Sequence, residues 1–91
     1  MDIEALRARI DEIDEKLVTL LSERATCALA IGKLKEAAGV PIYQPSREAD
    51  VLRHVRTVNT GPLDDDAIGR LFERVIDEAR RLERQAVRRT E

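Results

Sequence analysis

The chain has 91 residues, 43% of them hydrophobic, with 16 Lys and Arg set against 18 Asp and Glu. That mixture argues against a disordered polypeptide, and a formal charge of −2 gives no general reason to bind nucleic acid. The length suits a single domain spanning residues 1–91, one that buries a modest fraction of its surface and has no disulfide to stiffen it, because Cys27 is the lone cysteine.

The opening MDIEALRARIDEIDEK is too polar for a signal peptide. The apolar stretches at 17–21 and 27–31 are far shorter than a membrane span. An unpaired thiol without an export signal points to a reducing, cytoplasmic location. His54 is the only histidine and no Cys/His cluster accompanies it, so no zinc-ligand spacing is present. Tyr43 and Phe72 are the only aromatics, which leaves the core to Leu, Ile, Val and Ala. Arg outnumbers Lys 13 to 3. The excess fits recognition of carboxylates or phosphates, but a GC-rich genome is the more frequent cause.

From the N-terminus, Ile3, Leu6, Ile10, Ile13, Leu17, Leu20, Cys27, Ile31 and Leu34 follow alternating steps of three and four, with position 24 completing the series. The pattern predicts one helix from residue 3 to about 37, roughly 50 Å long at 1.5 Å per residue. A compact monomer of this size has a radius of gyration near 12 Å, so such a helix is expected to lie along a second copy of the chain. Gly39, Pro41 and Pro45 break the pattern. Ser46 is the expected N-cap of a second helix, 47 to about 58, with Val51, Leu52 and Val55 facing inward. Gly61-Pro62 breaks the chain again. Asp64 or Asp65 is placed to cap a third helix, in which Ile68, Leu71, Phe72, Val75, Ile76, Ala79, Leu82 and Ala86 recur at helical spacing. The expected fold is all-α: one long, one short and one medium-long helix.

Function is sought where polar residues occupy apolar positions. Arg24 stands on the seam between Leu20 and Cys27, and burying a guanidinium is costly without a hydrogen-bonded anion. Lys35 follows eleven residues later, about 20° around the helix and roughly 16 Å along it, so both cations point toward one space. Pairing of Arg24 with an internal carboxylate, or a role in register, remains an equal reading. Glu83 lies on or beside the third helix's apolar stripe, where burial raises a carboxylate pKa unless cations offset it; a stripe-edge residue reaching solvent is the plainer alternative. Arg47 and Glu48 open the second helix, where free backbone N–H groups favour anions. Arg7 sits about 25 Å from Arg24 along a straight helix, too far for one chain to grip a small ligand with both, whereas an antiparallel dimer brings Arg7 of one copy to Arg24 of the other. His54 reads as a surface residue and Cys27 as a buried, inert thiol. The run Arg80, Arg81, Arg84, Arg88, Arg89 reads as a solvated basic face near a helix C-terminus, ahead of a nucleic-acid patch.

These features together resemble the all-helical, AroQ-type chorismate mutases over essentially the whole chain. The carrying segments are Leu6-Arg7, Ile13-Asp14-Glu15-Lys16-Leu17, Leu20-Leu21-Ser22-Glu23-Arg24, Ile31-Gly32-Lys33-Leu34-Lys35, Pro45-Ser46-Arg47-Glu48, and Leu71-Phe72 followed by Glu83. No single string is specific, but the ordered set of charged residues at these spacings is. The resemblance implies an intertwined homodimer with two sites, each completed by the first helix of the other copy, and rearrangement of chorismate to prephenate on the branch to phenylalanine and tyrosine. The reaction is pericyclic and calls for no nucleophile, metal or cofactor. The site has to hold a flexible dianion in its reactive chair and stabilise charge developing on the ether oxygen.

Carried over by position, the partner's Arg7 and Arg24 would grip the substrate carboxylates, and Lys35 would donate to the ether oxygen and a carboxylate. Glu48 would accept from the ring hydroxyl with help from the backbone N–H of Gln44, and Arg47 would orient Glu48 or add positive potential. Ala79 falls where some relatives carry a small polar contact residue. Glu83 departs from members with Gln: it can donate to the ether oxygen only when protonated, with Lys35 and Arg24 expected to oppose that protonation. An isochorismate-pyruvate lyase on the same fold is the enzymatic alternative. A weakly active regulatory partner of DAHP synthase is the alternative in which binding dominates. A coiled-coil adaptor would have no need for Arg24, Lys35 and Glu83 facing one cavity.

Overall fold

In the computed structural model, which describes residues 2–90 with side chains through residue 87, the order is α1 (Ile3–Ala38), α2 (Pro45–Val58) and α3 (Asp65–Thr90). The fold is the expected all-helical one, with no strand among the described residues. Arg88 and Arg89 of the basic run lie outside the described side chains. Asp2 caps α1, its carboxylate accepting from the Ala5 N–H at 2.8 Å. The helix then runs uninterrupted through Gly32 to Gly39, which adopts φ +69. There the Gly39 N–H donates to the Glu36 carbonyl and the Val40 N–H to the Lys35 carbonyl, at 3.2 and 2.8 Å. This is the pairing of a Schellman stop, for which glycine is the unstrained residue.

α2 begins two residues earlier than its sequence suggests. Gln44, not Ser46, precedes the helix, and Pro45 occupies its first turn. Proline suits that place because its fixed φ is already helical and its missing N–H would have had no intrahelical acceptor. The Gln44 carbonyl accepts from the N–H groups of Arg47 and Glu48 at 3.1 and 3.2 Å. Asp64 caps α3, accepting from the Ala67 N–H at 2.7 Å. Asn59 ties the preceding turn to it, donating to the Leu63 carbonyl and the Asp65 carboxylate at 2.8 and 2.9 Å.

α3 packs against both α1 and α2. The chain is nevertheless elongated, 54 × 26 × 14 Å with a radius of gyration of 16.2 Å, against about 12 Å for a compact domain of this length. Among the described residues, the buried hydrophobic ones are Ala28 and Ile76, and no large side chain is fully enclosed. Leu6, Ile10, Ile13, Leu17 and Leu20 all lie exposed along α1. Two expected core residues are also open: Leu71 of α3 and Cys27, whose thiol is exposed rather than buried. Along α1 the seam faces away from α3 even beside the buried Ala28, and the single chain lays nothing else on it. No described helix is long and apolar enough to cross a membrane.

Candidate functional site

A cavity of about 240 Å³ opens where the second half of α1, the start of α2 and the second half of α3 meet. α1 contributes Arg24 and Lys35 to its wall, the α2 entry contributes Gln44, Arg47 and Glu48, and α3 contributes Ala79 and Glu83. Ile31, Ile42, Val51 and Ile76 form its apolar side. Seven of the eight positions singled out in the sequence thus border one space. The eighth, Arg7, is exposed on the far part of α1 and does not line it.

Among the described residues, Glu83 is the buried polar one, 8% exposed. Its position depends on Gly32 across the α1–α3 contact, since a Cβ at residue 32 would stand 3.1 Å from the Glu83 Cγ. Lys35 approaches from α1, its Nζ donating to the Ile42 carbonyl at 3.0 Å and standing 3.8 Å from Glu83 Oε2. That oxygen is buried without a hydrogen-bond partner. Loss of solvation pushes the Glu83 pKa above the ordinary carboxylate value, with Lys35 and then Arg80 pulling against it. The second opposing cation is therefore Arg80, where Arg24 was expected. Burial prevails over both charges and favours a protonated Glu83 able to donate.

Arg80 is the residue that sequence reasoning misplaced. It is not on a solvated basic face: its Nη2 donates to Glu48 Oε1 at 2.8 Å and to Asp77 Oδ1 at 3.3 Å. Its guanidinium lies 4.8 Å from the centre of the Tyr43 ring. Among the described residues the ion-pair partner of Glu48 is Arg80, whereas the helix neighbour Arg47 is exposed. A signal for this was available. Residue 80 falls four after Ile76 and three before Glu83, which puts it on the same helical face as both.

The arrangement offers converging cations, one carboxyl biased toward its neutral form and one carboxylate at a helix start, above an apolar floor. It suits a small ligand with more than one anionic group and a hydroxyl. Among the described residues no group of three or more His, Cys, Asp or Glu is placed to hold a metal ion.

A family model described as chorismate mutase type II matches residues 6–84. A bifunctional chorismate mutase/prephenate dehydratase of Pseudomonas aeruginosa is 43% identical over 86 residues. That match covers 89% of this chain and 24% of the relative, so the chain spans about a quarter of its length. Among solved structures, a chorismate mutase from Thermus thermophilus superposes with a TM-score of 0.88 at 35% identity, covering 90% of this chain and 93% of that one. A chorismate mutase from Helicobacter pylori, determined in complex with prephenate, gives 0.87 at 30% identity, covering 94% and 93%.

Proposed function

The chain belongs to the type II chorismate mutase family, and we propose that it rearranges chorismate to prephenate, as an isomerase of aromatic amino acid biosynthesis working in the cytoplasm. The observation that carries this reading is the meeting of Lys35 and Glu83 at one corner of a cationic cavity. Chorismate carries two carboxylates, a ring hydroxyl and an ether oxygen whose bond to carbon breaks as a carbon–carbon bond forms. Arg24 takes one carboxylate through the paired donors of its guanidinium. Lys35 and protonated Glu83 donate to the ether oxygen, where negative charge grows in the transition state. Glu48 accepts from the ring hydroxyl. Fixing both ends of the dianion selects the chair in which the reacting carbons approach. The matched relatives carry the mutase name, which favours this reading over the lyase.

Of the other cations that one chain brings to the cavity, Lys35 faces Glu83 and Arg80 is held by Glu48, which leaves the second carboxylate to a further cation. Arg7 supplies it from a second copy. The exposed seam of α1, and an adjoining groove of about 660 Å³ beside Val18, Leu21, Val75 and Leu82, form the surface on which the long helix of that copy lies. The functional unit is then a homodimer with two shared sites, and residues 1–91 act as one mutase domain.

The test is chorismate disappearance in wild type, Arg7→Ala, Arg24→Ala and an equimolar mixture of the two variants. Each variant alone loses kcat/KM by about 10²- to 10³-fold, the scale of removing one member of a desolvated charge pair. After subunit exchange, mixed dimers hold one site with both arginines intact, and twofold symmetry predicts recovery of about a quarter of wild-type activity. Equal rates in wild type and Arg24→Ala would overturn the assignment of the cavity. Two inactive variants with no recovery on mixing would overturn the shared site.

A further inference from the structure

We propose that Arg80 is a positioning residue of this site, clamped on the Tyr43 ring so that it fixes the Glu48 carboxylate for the ring hydroxyl of the substrate. The inference rests on the mutase reading given above.

Three contacts from three parts of the chain determine where the guanidinium lies. The Tyr43 ring, in the segment between α1 and α2, covers it at 4.8 Å, within the range of a cation–π contact. Asp77, one turn earlier on α3, accepts from Nη2 at 3.3 Å. Glu48, on the first turn of α2, accepts from the same nitrogen at 2.8 Å, the length of a charge-assisted bond. The side chains of Arg80 and Glu48 are both about three-quarters buried, at 24% and 26% exposure, so this pair is sheltered from the screening that makes most surface pairs worth little. It joins residues 32 apart in sequence and ties the start of α2 to α3.

The consequence for the site is geometric. Arg80 engages Glu48 through Oε1, and a carboxylate has accepting capacity on both oxygens. Oε2 is then left to accept from a hydroxyl, in an orientation set before the ligand arrives. Preorganisation of this kind removes a rotamer search that would otherwise weaken binding. The ring hydroxyl stands beside the ether-bearing carbon, but its own bonds neither break nor form, so its contact is made in both ground and transition states. Uniform binding of that sort is read in KM more than in kcat. Arg80 Nε is buried without a partner, which shows that the guanidinium is placed by its Glu48 and Tyr43 contacts and not by full satisfaction of its donors.

The experiment is a double-mutant cycle on chorismate turnover, at the pH of maximal kcat, with melting temperatures recorded for each variant. Arg80→Met is expected to raise KM about tenfold, the loss of one charged hydrogen bond, with kcat changed less than about threefold. Arg80→Lys, which keeps the charge but loses the planar fork, is expected to fall between. In a Glu48→Ala background the same Arg80→Met change should move KM by less than about twofold, because its object is gone. If Arg80→Met does not fold, Tyr43→Leu takes its place, with a rise in KM of about threefold that also vanishes in Glu48→Ala. An unchanged KM in Arg80→Met, or equal effects in both backgrounds, overturns the positioning role while wild-type turnover stands. Absence of chorismate turnover in wild type overturns the mutase reading itself.

Discussion

The two halves of α1 carry the same step of three and four, but only the second half also closes a face, at Ala28 and Gly32 beside that seam, against α3. In the second half, Ala28 is 9% exposed and Gly32 is buried against Glu83. On the seam itself, Ile10 is 54% and Leu17 is 50% exposed in the first half, and Ile31 and Leu34 stay 49% and 71% exposed in the second. Periodicity announces that a helix face will be buried, but not by what. Residue size tells more. The half that meets α3 of its own chain uses Ala and Gly, which admit a helix closely and make room for a buried carboxyl. The other half uses Ile and Leu throughout, suited to a facing helix of the same kind. Five large apolar side chains left open on so small a chain are more than a lone monomer ordinarily exposes in one patch.

The largest expected effect comes from attacking the open half. Leu17→Glu places a carboxylate on the seam, and twofold symmetry places it there twice. Burying a charge without a partner is costly enough to outweigh the association that one leucine supports, at about 1.5–3 kcal/mol per buried side chain. Sedimentation at micromolar concentration should show the variant as a monomer, with kcat/KM at least about 100-fold lower because no Arg7 reaches the site. A monomeric variant with full activity would break the contrast between the halves.

Glu83 sharpens the other half. Its pKa is raised by burial against the opposing charges of Lys35 and Arg80, and in the proposed mechanism its protonated form is the donor. Activity should therefore fall as pH rises through the folded-state value, while Glu83→Gln, a donor at every pH, flattens that limb. Stability follows the same sign. Across the window between the ordinary carboxylate value and the raised folded value, the native state binds the extra proton, so stability declines as pH rises. Denaturant titrations over that window should show the decline in wild type and not in Glu83→Gln. A parallel decline in both would assign it to other groups.

The contrast also explains which features were legible in the sequence. The extent of α1 was readable because its apolar steps continue up to a glycine and two prolines, signals that act locally. Arg24 stood out because it interrupts an apolar series, Lys35 because it shares Arg24's side of the helix, and Glu83 because it lies on or beside an apolar stripe. Arg80 did not, because it sits among other arginines, and its fate is decided by Tyr43 and Glu48 arriving from elsewhere in the chain. Cys27 was misjudged for the converse reason. The seam pattern is real, yet the surface that would cover it does not belong to the single chain. Ser46 lost the capping position to Gln44 because Pro45 can itself start the helix.

The smallest predicted effect is the most diagnostic for the closed half, because activity should fall while stability hardly moves. Gly32 is mid-helix, where alanine is favoured by about 1 kcal/mol in backbone terms. A Cβ there would meet Glu83 Cγ at 3.1 Å and Oε2 at 3.5 Å. The first distance is tight, and Glu83 must yield by a few tenths of an ångström. The helix gain and the contact penalty offset one another, so the melting temperature of Gly32→Ala should shift by only a few degrees in either direction. The displaced carboxyl, however, is the group proposed to donate to the ether oxygen. Small displacements of a reacting contact lower the rate far more than they lower stability. A fall in kcat of about tenfold with KM nearly constant is expected, and Glu83→Gln combined with Gly32→Ala should not restore it, since the amide fills the same volume. If Gly32→Ala keeps full kcat, the closeness of α1 and α3 at this point serves packing alone, and the small residues of the second half of α1 carry no catalytic meaning.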